Sequence, residues 1–174
     1  EKVSSYLVEV YMNTRSYEAA LKSIERIAKP SAQIMEAKQK ILFQLGTQSF
    51  ANANFEQALQ YLNQSIAIGQ YNRQTKADAY YWCGESYYRL NRMMEAARDF
   101  NAYLQLTTQP NNEMYALANY NLGYIAFHRK DYTQASNYFQ KYIQLEKGEN
   151  RTALADAYNR IGDCHLNVRN FEEA

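Results

Sequence analysis

The sequence has few of the residues that usually build a chemical site. Its 174 residues include two cysteines, two histidines and two prolines. Two cysteines are too few for a disulfide framework, and Cys83 and Cys164 lie far apart in the chain, so both are interpreted as buried apolar side chains. His128 and His165 form no set with Cys, Asp or Glu at metal-ligand spacing. The sequence therefore predicts no disulfide, no metal site and no cofactor.

An excess of one charge sign is also missing. The 19 basic and 18 acidic residues give a net charge of +1. Lysine and arginine are not clustered in any one segment of the sequence, so binding to nucleic acid is not indicated. No apolar run approaches the roughly 20 residues that span a bilayer, and the N-terminal segment is unlike a signal peptide. Phosphate loops, nucleophile triads and paired-carboxylate motifs are not found. We expect a non-catalytic protein without membrane insertion.

Hydrophobic and aromatic residues, in contrast, are abundant. They make up 47% and 14% of the chain, with 17 tyrosines, which is typical of a folded protein. The stretch YYWCGESYY, residues 80–88, holds four tyrosines and the only tryptophan. Such a stretch is either a binding site or one copy of a packing unit.

Small residues recur at a fixed spacing through the whole chain. One anchor is an alanine that follows an aromatic residue or methionine by three positions, and a second anchor lies twelve positions earlier. The alanines are Ala20, Ala58, Ala96, Ala135 and Ala174. The earlier anchors are Val8, Gly46, Gly84, Gly123 and Gly162. Both sets are spaced by 38 or 39 residues, which predicts about four and a half copies of one unit, at residues 1–34, 35–72, 73–110, 111–149 and 150–174.

Each copy is predicted to contain two antiparallel helices. Apolar residues recur at three and four positions, and a short polar turn divides each copy, the last turn being expected at residues 167–170. Longer breaks separate the copies, one of them over residues 69–76. Pro30 and Ser31 are predicted to begin a long helix that ends near residue 52.

The small anchors are interpreted as the points where the two helices of a pair approach most closely. Glycine inside a helix costs roughly 0.5–1 kcal/mol relative to alanine, so four equivalent glycines indicate a compensating contact. We expect glycine on the first helix to lie against alanine on the second. Tyr80, Cys83 and Tyr87, which flank Gly84, are expected on the buried face.

These patterns resemble the tetratricopeptide repeat family, whose motif is W-x2-L-G-x2-Y followed by A-x3-F. The third copy matches through Tyr80, Cys83, Gly84, Tyr87, Ala96 and Phe100. The period of 38–39 is longer than the 34 residues usual in the family, and the proline that usually closes a repeat is not in its expected place. The resemblance implies an all-α fold, a right-handed superhelical solenoid of antiparallel helix pairs.

The resemblance also implies that the first helices line a concave face that binds partners. The positions carried over from the family are Phe43, Phe50, Tyr81, Glu85, Tyr88, Arg89, Tyr120, Tyr124, Phe127, His128 and Asp163. Aromatic side chains exposed there would suit an extended peptide or a partner helix. With a longer repeat the same rings could instead pack against the neighbouring pair, and the sequence leaves both interpretations open.

The leading functional hypothesis is a protein–protein interaction scaffold that docks a peptide or a folded partner. The alternatives are a structural spacer or self-association arm of a longer solenoid, and the regulatory region of a protein with an effector domain elsewhere. The sequence starts without methionine and stops where a second helix should begin, so we expect a longer parent protein. Its last helix, near residues 150–170, is expected to fray or to pair with a second molecule. The repeats are similar to those of bacterial envelope proteins, although a cytoplasmic location stays open.

Overall fold

The computed structural model describes residues 15–173 together with Leu7, Glu9 and Val10, with the backbone alone for residues 170–173. Residues 15–173 form eight α-helices, one short 3-10 helix at Gly69–Tyr71 and no β-strand. The helices are α1 (Tyr17–Glu25), α2 (Ala32–Ala51), α3 (Phe55–Ala67), α4 (Arg73–Arg89), α5 (Met93–Leu106), α6 (Glu113–His128), α7 (Tyr132–Leu145) and α8 (Arg151–Glu173). The predicted all-α helical repeat is confirmed. None of the helices described is both long and apolar enough to cross a bilayer.

The helices belong to two compact units, Glu1–Thr107 and Thr108–Ala174. In the first unit α2 packs against α3 and α4 packs against α5, while α3 also contacts α4 and α1 contacts α2. In the second unit α6 packs against α7, and α7 packs against α8. The pairs α2–α3, α4–α5 and α6–α7 are those that the spacing of the small anchors predicts for the second, third and fourth copies.

Three of the first helices, α2, α4 and α6, end in the same way. The second residue after each of them adopts a left-handed backbone, with φ between 60° and 63°, at Ala53, Asn91 and Lys130, and Arg15 at the same position of the first copy has φ of 57°. After α4, the N–H of Asn91 donates to the carbonyl of Tyr88 at 3.1 Å, and the N–H of Arg92 donates to the carbonyl of Tyr87 at 2.8 Å. These bonds satisfy the last carbonyls of the helix. A residue with positive φ thus lies at the same position in each of the first four copies.

The turn predicted at residues 167–170 is wrong, because α8 continues through it to Glu173. Arg169 has the repeat position of Asn91 and Lys130, yet it is helical. No glycine or proline interrupts this segment, so its local sequence favours continuation of the helix. In the earlier copies a packed second helix offsets the cost of the left-handed residue, roughly 1–2 kcal/mol. In the described part of the chain no helix follows α8 to do so.

The two other helix boundaries singled out by sequence have different outcomes. The start of α2 is confirmed: the Ser31 hydroxyl accepts a hydrogen bond from the N–H of Ile34 at 3.2 Å, and the helix ends at Ala51. The break predicted over residues 69–76 is too long, because α4 already begins at Arg73. The side chain of Asn72 accepts from the N–H of Thr75 at 2.9 Å and so caps the helix four residues earlier than expected.

Three glycine anchors lie closest to a large side chain of the second helix, and at Gly46 the carbonyl oxygen of the predicted Ala58 follows at 3.4 Å from a constructed Cβ. A Cβ built on Gly84 would lie 2.8 Å from Cδ1 of Phe100, and one on Gly46 would lie 2.6 Å from Cγ of Leu62. Gly123 has the same relationship to Phe139, at 2.8 Å from Cε1. The alanine four residues before each large residue is fully buried as well. The prediction named the wrong nearest contact, because the leucine or phenylalanine four residues after the alanine packs on the helix backbone and fills the space of the Cβ. Anchors Val8 and Ala174 lie outside the described residues.

Candidate partner-binding surface

The residues predicted to bind a partner lie on α2, α4, α6 and α8, and they form one surface in each unit. We call the first the α2–α4 surface, defined by Phe43, Phe50, Trp82, Glu85, Tyr88 and Arg89. We call the second the α6–α8 surface, defined by Tyr120, Tyr124, Phe127, His128, Asp156, Arg160 and Asp163. Tyr81 belongs to neither, for the reason given below.

Phe50, Trp82 and Arg89 form the centre of the α2–α4 surface. The ring of Phe50 meets the ring of Trp82 edge-on, with centroids 5.0 Å apart, and contacts Phe55 in the same way at 5.3 Å. The guanidinium of Arg89 lies 5.7 Å from the centroid of Phe50. Phe50 and Trp82 are half-buried, whereas Arg89 is exposed. A cation over an aromatic face is attractive, and this contact joins the last turns of α2 and α4.

Tyr81 is a core residue. Its side chain is 3% exposed, and its ring packs edge-on against Phe100 and Tyr103 at centroid distances of 5.7 and 5.4 Å. Its hydroxyl donates a hydrogen bond to Oε1 of Glu85 at 3.0 Å. Tyr81 therefore packs between the helices of its own pair, which neither interpretation of the sequence predicted: it is not an exposed contact for a partner, and the rings that it contacts on α5 do not belong to a neighbouring pair.

The remaining predicted residues of this surface keep part of their area in solvent. Glu85 and Tyr88 are half-buried on α4, and burial raises the pKa of the Tyr88 hydroxyl, with the charge of Glu85 acting in the same direction. Phe43 is half-buried on α2, two helical turns before Phe50. The surface thus combines partly exposed rings with one acidic and one basic side chain.

Asp156 is the centre of the α6–α8 surface. The hydroxyl of Tyr120 donates to Oδ2 of Asp156 at 2.7 Å, and the hydroxyl of Tyr124 donates to the same oxygen. Arg160 lies one turn further along α8, with its Nε 3.6 Å from Oδ1 of Asp156 and its Nη1 2.9 Å from Oδ2 of Asp163. These contacts connect α6 to α8 through a continuous row of polar side chains.

The environment of this row keeps the two tyrosines protonated. Burial raises the pKa of both hydroxyls, and the hydrogen bonds to Asp156 act in the same direction, so that the pKa of Tyr124 rises to about 12. Arg160 also lies 5.9 Å from the ring centroid of Phe127. Next to Phe127, the side chain of His128 is exposed. The polar groups at the centre of this surface are thus paired within the protein.

The two surfaces share one feature that the sequence did not reveal. Phe50 and Phe127 each lie four residues after an anchor glycine, and each is covered by an arginine from the next first helix along the chain, Arg89 or Arg160. The rings are equivalent in the repeat, but the arginines are not, since Arg89 lies five residues after Gly84 and Arg160 lies two residues before Gly162.

Sequence reasoning missed Trp82, Asp156 and Arg160. They lie two or six positions before an anchor glycine, on or next to the helix face of the carried-over positions, but those two positions were not themselves carried over. The sequence did contain a signal for Asp156 and Arg160, because an acidic and a basic residue four positions apart lie on the same side of a helix and can pair there. Trp82 stands out in the sequence as the only tryptophan, but the sequence analysis gave it no role in a site.

Two family models described as tetratricopeptide repeat match the chain, one over residues 43–113 and the other over residues 116–148. Together they cover more than half of it, and no curated protein matches it by sequence. Among solved structures, MamA is 18% identical with a TM-score of 0.60, covering 98% of this chain and 87% of its own. BtubC from P. vanneervenii is 15% identical with a TM-score of 0.69, and the match covers 98% of this chain and 74% of BtubC. YrrB, described as a TPR protein with an unusual peptide-binding site, is 20% identical with a TM-score of 0.56, and the match covers 86% of this chain and 70% of YrrB. The chain belongs to the tetratricopeptide repeat family.

Proposed function

We propose that the protein is an interaction scaffold that docks an extended peptide segment of a partner on the α2–α4 surface. Tetratricopeptide repeats generally bind protein partners and are generally non-catalytic. The observation that carries the proposal is the centre of this surface, where Phe50 and Trp82 keep part of their rings in solvent and the exposed guanidinium of Arg89 lies over Phe50. Rings of this kind offer apolar area at a low cost in side-chain entropy.

The chemistry of the surface defines the peptide it would hold. An apolar side chain would pack on the rings of Phe50 and Trp82, and a carboxylate beside it would pair with Arg89, whose five donors suit bidentate recognition. Tyr88, at the end of α4, would add a hydroxyl and a ring edge. Peptide binding by the related fold of YrrB supports this choice of ligand class.

The α6–α8 surface has a more limited part in this proposal. Tyr120, Tyr124 and Arg160 already bond to Asp156 or Asp163, and a ligand that used these groups would first have to break those bonds. We assign the row a structural role in holding α6 against α8. Contact with a partner is proposed there only for Phe127 and His128.

The experiment is a selection of peptides from a random displayed library, followed by affinity measurements on the selected peptides by fluorescence anisotropy. Arg89→Glu reverses the one exposed charge over Phe50 and is expected to weaken binding at least about ten-fold. Lys29→Glu makes the same change of charge in the loop between α1 and α2 and is the matched control, expected to bind like the wild type.

The possible results separate the functional hypotheses. Loss of affinity in Arg89→Glu alone, with circular dichroism unchanged, supports peptide docking on this surface. Equal weakening by Lys29→Glu would mean that binding follows overall charge, and the site assignment would be wrong. Selection of no peptide at all would favour the spacer or self-association hypothesis over a peptide scaffold.

A further inference from the structure

Asp78 on α4 is a carboxylate that the protein itself satisfies only in part. Its side chain is half-buried, and its Oδ1 accepts one hydrogen bond, from Nε2 of Gln74 at 2.7 Å. Among the described residues Asp78 makes no other hydrogen bond and no ion pair. Burial raises the pKa of this carboxyl, while the bond from Gln74 acts in the opposite direction. The charged carboxylate therefore lacks part of its solvation and has an oxygen, Oδ2, that can accept a further bond.

The equivalent carboxylate of the second unit, Asp156, shows which partners this position takes elsewhere in the chain. Asp78 and Asp156 each lie six positions before the anchor glycine of their helix. Asp156 accepts hydrogen bonds from the hydroxyls of Tyr120 and Tyr124 on α6, and its Oδ1 lies 3.6 Å from Nε of Arg160. Two hydroxyls and one guanidinium thus surround the carboxylate in the second unit.

The first unit has none of these three partners at the equivalent positions. Phe43, three residues before the glycine of α2, takes the place of the first tyrosine and has no hydroxyl. Thr47, one residue after that glycine, takes the place of the second, but its hydroxyl donates to the carbonyl of Gln44 in its own helix at 3.0 Å. Trp82 takes the place of the arginine and packs edge-on against Phe50. The carboxylate of α4 is therefore left without the donors that its counterpart on α8 has.

Asp78 lies on the same side of α4 as Arg89. The two residues are eleven positions apart, which is about three helical turns, or about 16 Å along the helix axis. An extended peptide covers this distance with about five residues, at about 3.3 Å each. The α2–α4 surface therefore continues from an exposed basic group at one end of α4 to an incompletely solvated acidic group towards the other.

We propose that Asp78 binds a lysine or arginine side chain of the docked peptide, so that the ligand carries an acidic residue at the Arg89 end and a basic residue about five positions away. This inference rests on the proposed function and specifies the chemistry of its ligand. The cation would supply the bonds that tyrosine and arginine supply to Asp156, and charge-assisted bonds are strong where water is partly excluded. An acidic or apolar side chain in the same place would leave Asp78 uncompensated, so the surface would select its peptide by charge.

The test starts from peptides selected from a random displayed library with the whole chain. We expect the selected sequences to carry lysine or arginine about five positions from aspartate or glutamate. Fluorescence anisotropy then compares the tightest peptide with a version in which methionine replaces the basic residue, which keeps a long side chain without its charge. The wild-type protein is expected to bind the methionine peptide at least about ten-fold more weakly.

Two variants and one control of the protein locate the cation. Asp78→Asn is expected to bind the basic peptide at least about ten-fold more weakly and the methionine peptide like the wild type. Phe43→Tyr places a hydroxyl at the position of Tyr120, where it should pair with Asp78 inside the protein and weaken the basic peptide about two- to ten-fold. Asp131→Asn removes the same charge from the exposed N-cap of α7, where asparagine also caps, and is expected to bind like the wild type. Circular dichroism checks that each variant keeps its helices.

The results distinguish this inference from the proposed function. Peptides that lose affinity in Arg89→Glu but bind Asp78→Asn and the wild type equally would overturn the role of Asp78 and leave peptide docking intact. Selected peptides in which no basic residue is enriched would have the same meaning. Equal weakening by Asp131→Asn and Asp78→Asn would also overturn the assignment, because binding would then follow overall charge. Selection of no peptide at all would overturn both proposals.

Discussion

Gly84 and Phe100 approach so closely that the phenylalanine ring occupies the space in which any residue other than glycine would place its Cβ. A Cβ on Gly84 would lie 2.8 Å from both Cδ1 and Cε1 of that ring, shorter than contacts that real side chains make. The aromatic ring packs directly on the backbone of α4. Glycine at this position is thus required by its neighbour across the pair, although glycine is a poor helix former.

This contact predicts opposite effects for the same substitution at two anchors. Gly84→Ala forces the ring of Phe100 to move, and overpacking of this kind costs about 1–3 kcal/mol, more than the gain of up to about 1 kcal/mol in helix propensity. Gly162→Ala meets no neighbour in the described structure and should gain up to about 1 kcal/mol. Urea unfolding followed by circular dichroism measures both, and a change of the same sign in the two variants would contradict the assigned contacts.

Lys130 predicts a stabilising substitution in the turn after α6. Its φ of 63° lies in the left-handed region, which glycine adopts without steric cost. Lys130→Gly should raise the free energy of unfolding by about 0.5–1 kcal/mol, after allowance for the larger entropy of glycine in the unfolded chain. Lys141→Gly, at an exposed position inside α7, is the control and should lower it by about 1 kcal/mol. Thermal unfolding compares the two, and destabilisation by Lys130→Gly would argue against the left-handed turn.

The pairing of Tyr124 with Asp156 predicts a pH dependence of stability on the alkaline side. The pKa of Tyr124 rises from 10.0 to about 12, so the folded state holds the phenol proton more tightly than the unfolded state. The resulting stability is present below pH 10 and is lost between about pH 10 and 12. In Tyr124→Phe the unfolding free energy should therefore fall less steeply over this range.

The matched control for this measurement is Tyr158→Phe, which removes an exposed hydroxyl on the same helix as Asp156. Its profile of unfolding free energy against pH should follow that of the wild type. If Tyr124→Phe also followed the wild type, the hydrogen bond to Asp156 would not contribute to stability in the way the structure indicates.

The two cysteines predict different rates of thiol modification in the folded protein. Both are buried, and burial raises the pKa of both thiols, so little reactive thiolate is present at pH 8. Cys83 lies on α4, which packs between α3 and α5, whereas Cys164 lies on α8, where a Cβ on the nearby Gly162 would meet nothing within 4 Å among the described residues. Local opening should therefore label Cys164 at least about ten-fold faster. Mass spectrometry after alkylation in native buffer gives both rates, and equal rates would mean that α8 is as stable as α4.

Sequence periodicity was sufficient for the helix pairs because each pair repeats the same burial pattern. The start of α2 at Ser31 was also predictable, since a serine before a helix has a specific capping role. The turn at residues 167–170 was not, because the left-handed residue at Asn91 or Lys130 is held by the packing of a second helix rather than by its own sequence. A polar tetrapeptide is compatible with either a turn or a continuing helix.

The candidate surface was predictable in position but not in detail. Tyr81 and Trp82 are adjacent aromatic residues on α4, and a rotation of about 100° along the helix decides which of them packs inside the pair. Period and composition do not set that rotation, whereas the contacts of Tyr81 with Phe100 and Tyr103 do. The role of Asp156 depends on hydroxyls of α6, which come close only after α6 and α8 have packed on α7.

The three occupied glycine contacts also bear on how the chain folds. Gly46 and Leu62, Gly84 and Phe100, and Gly123 and Phe139 are each sixteen residues apart in sequence. The entropy lost in closing so short a loop is small, and proteins dominated by such local contacts fold quickly. Each helix pair can therefore close on its own, and folding can begin at any of the three and spread to the helices beside it.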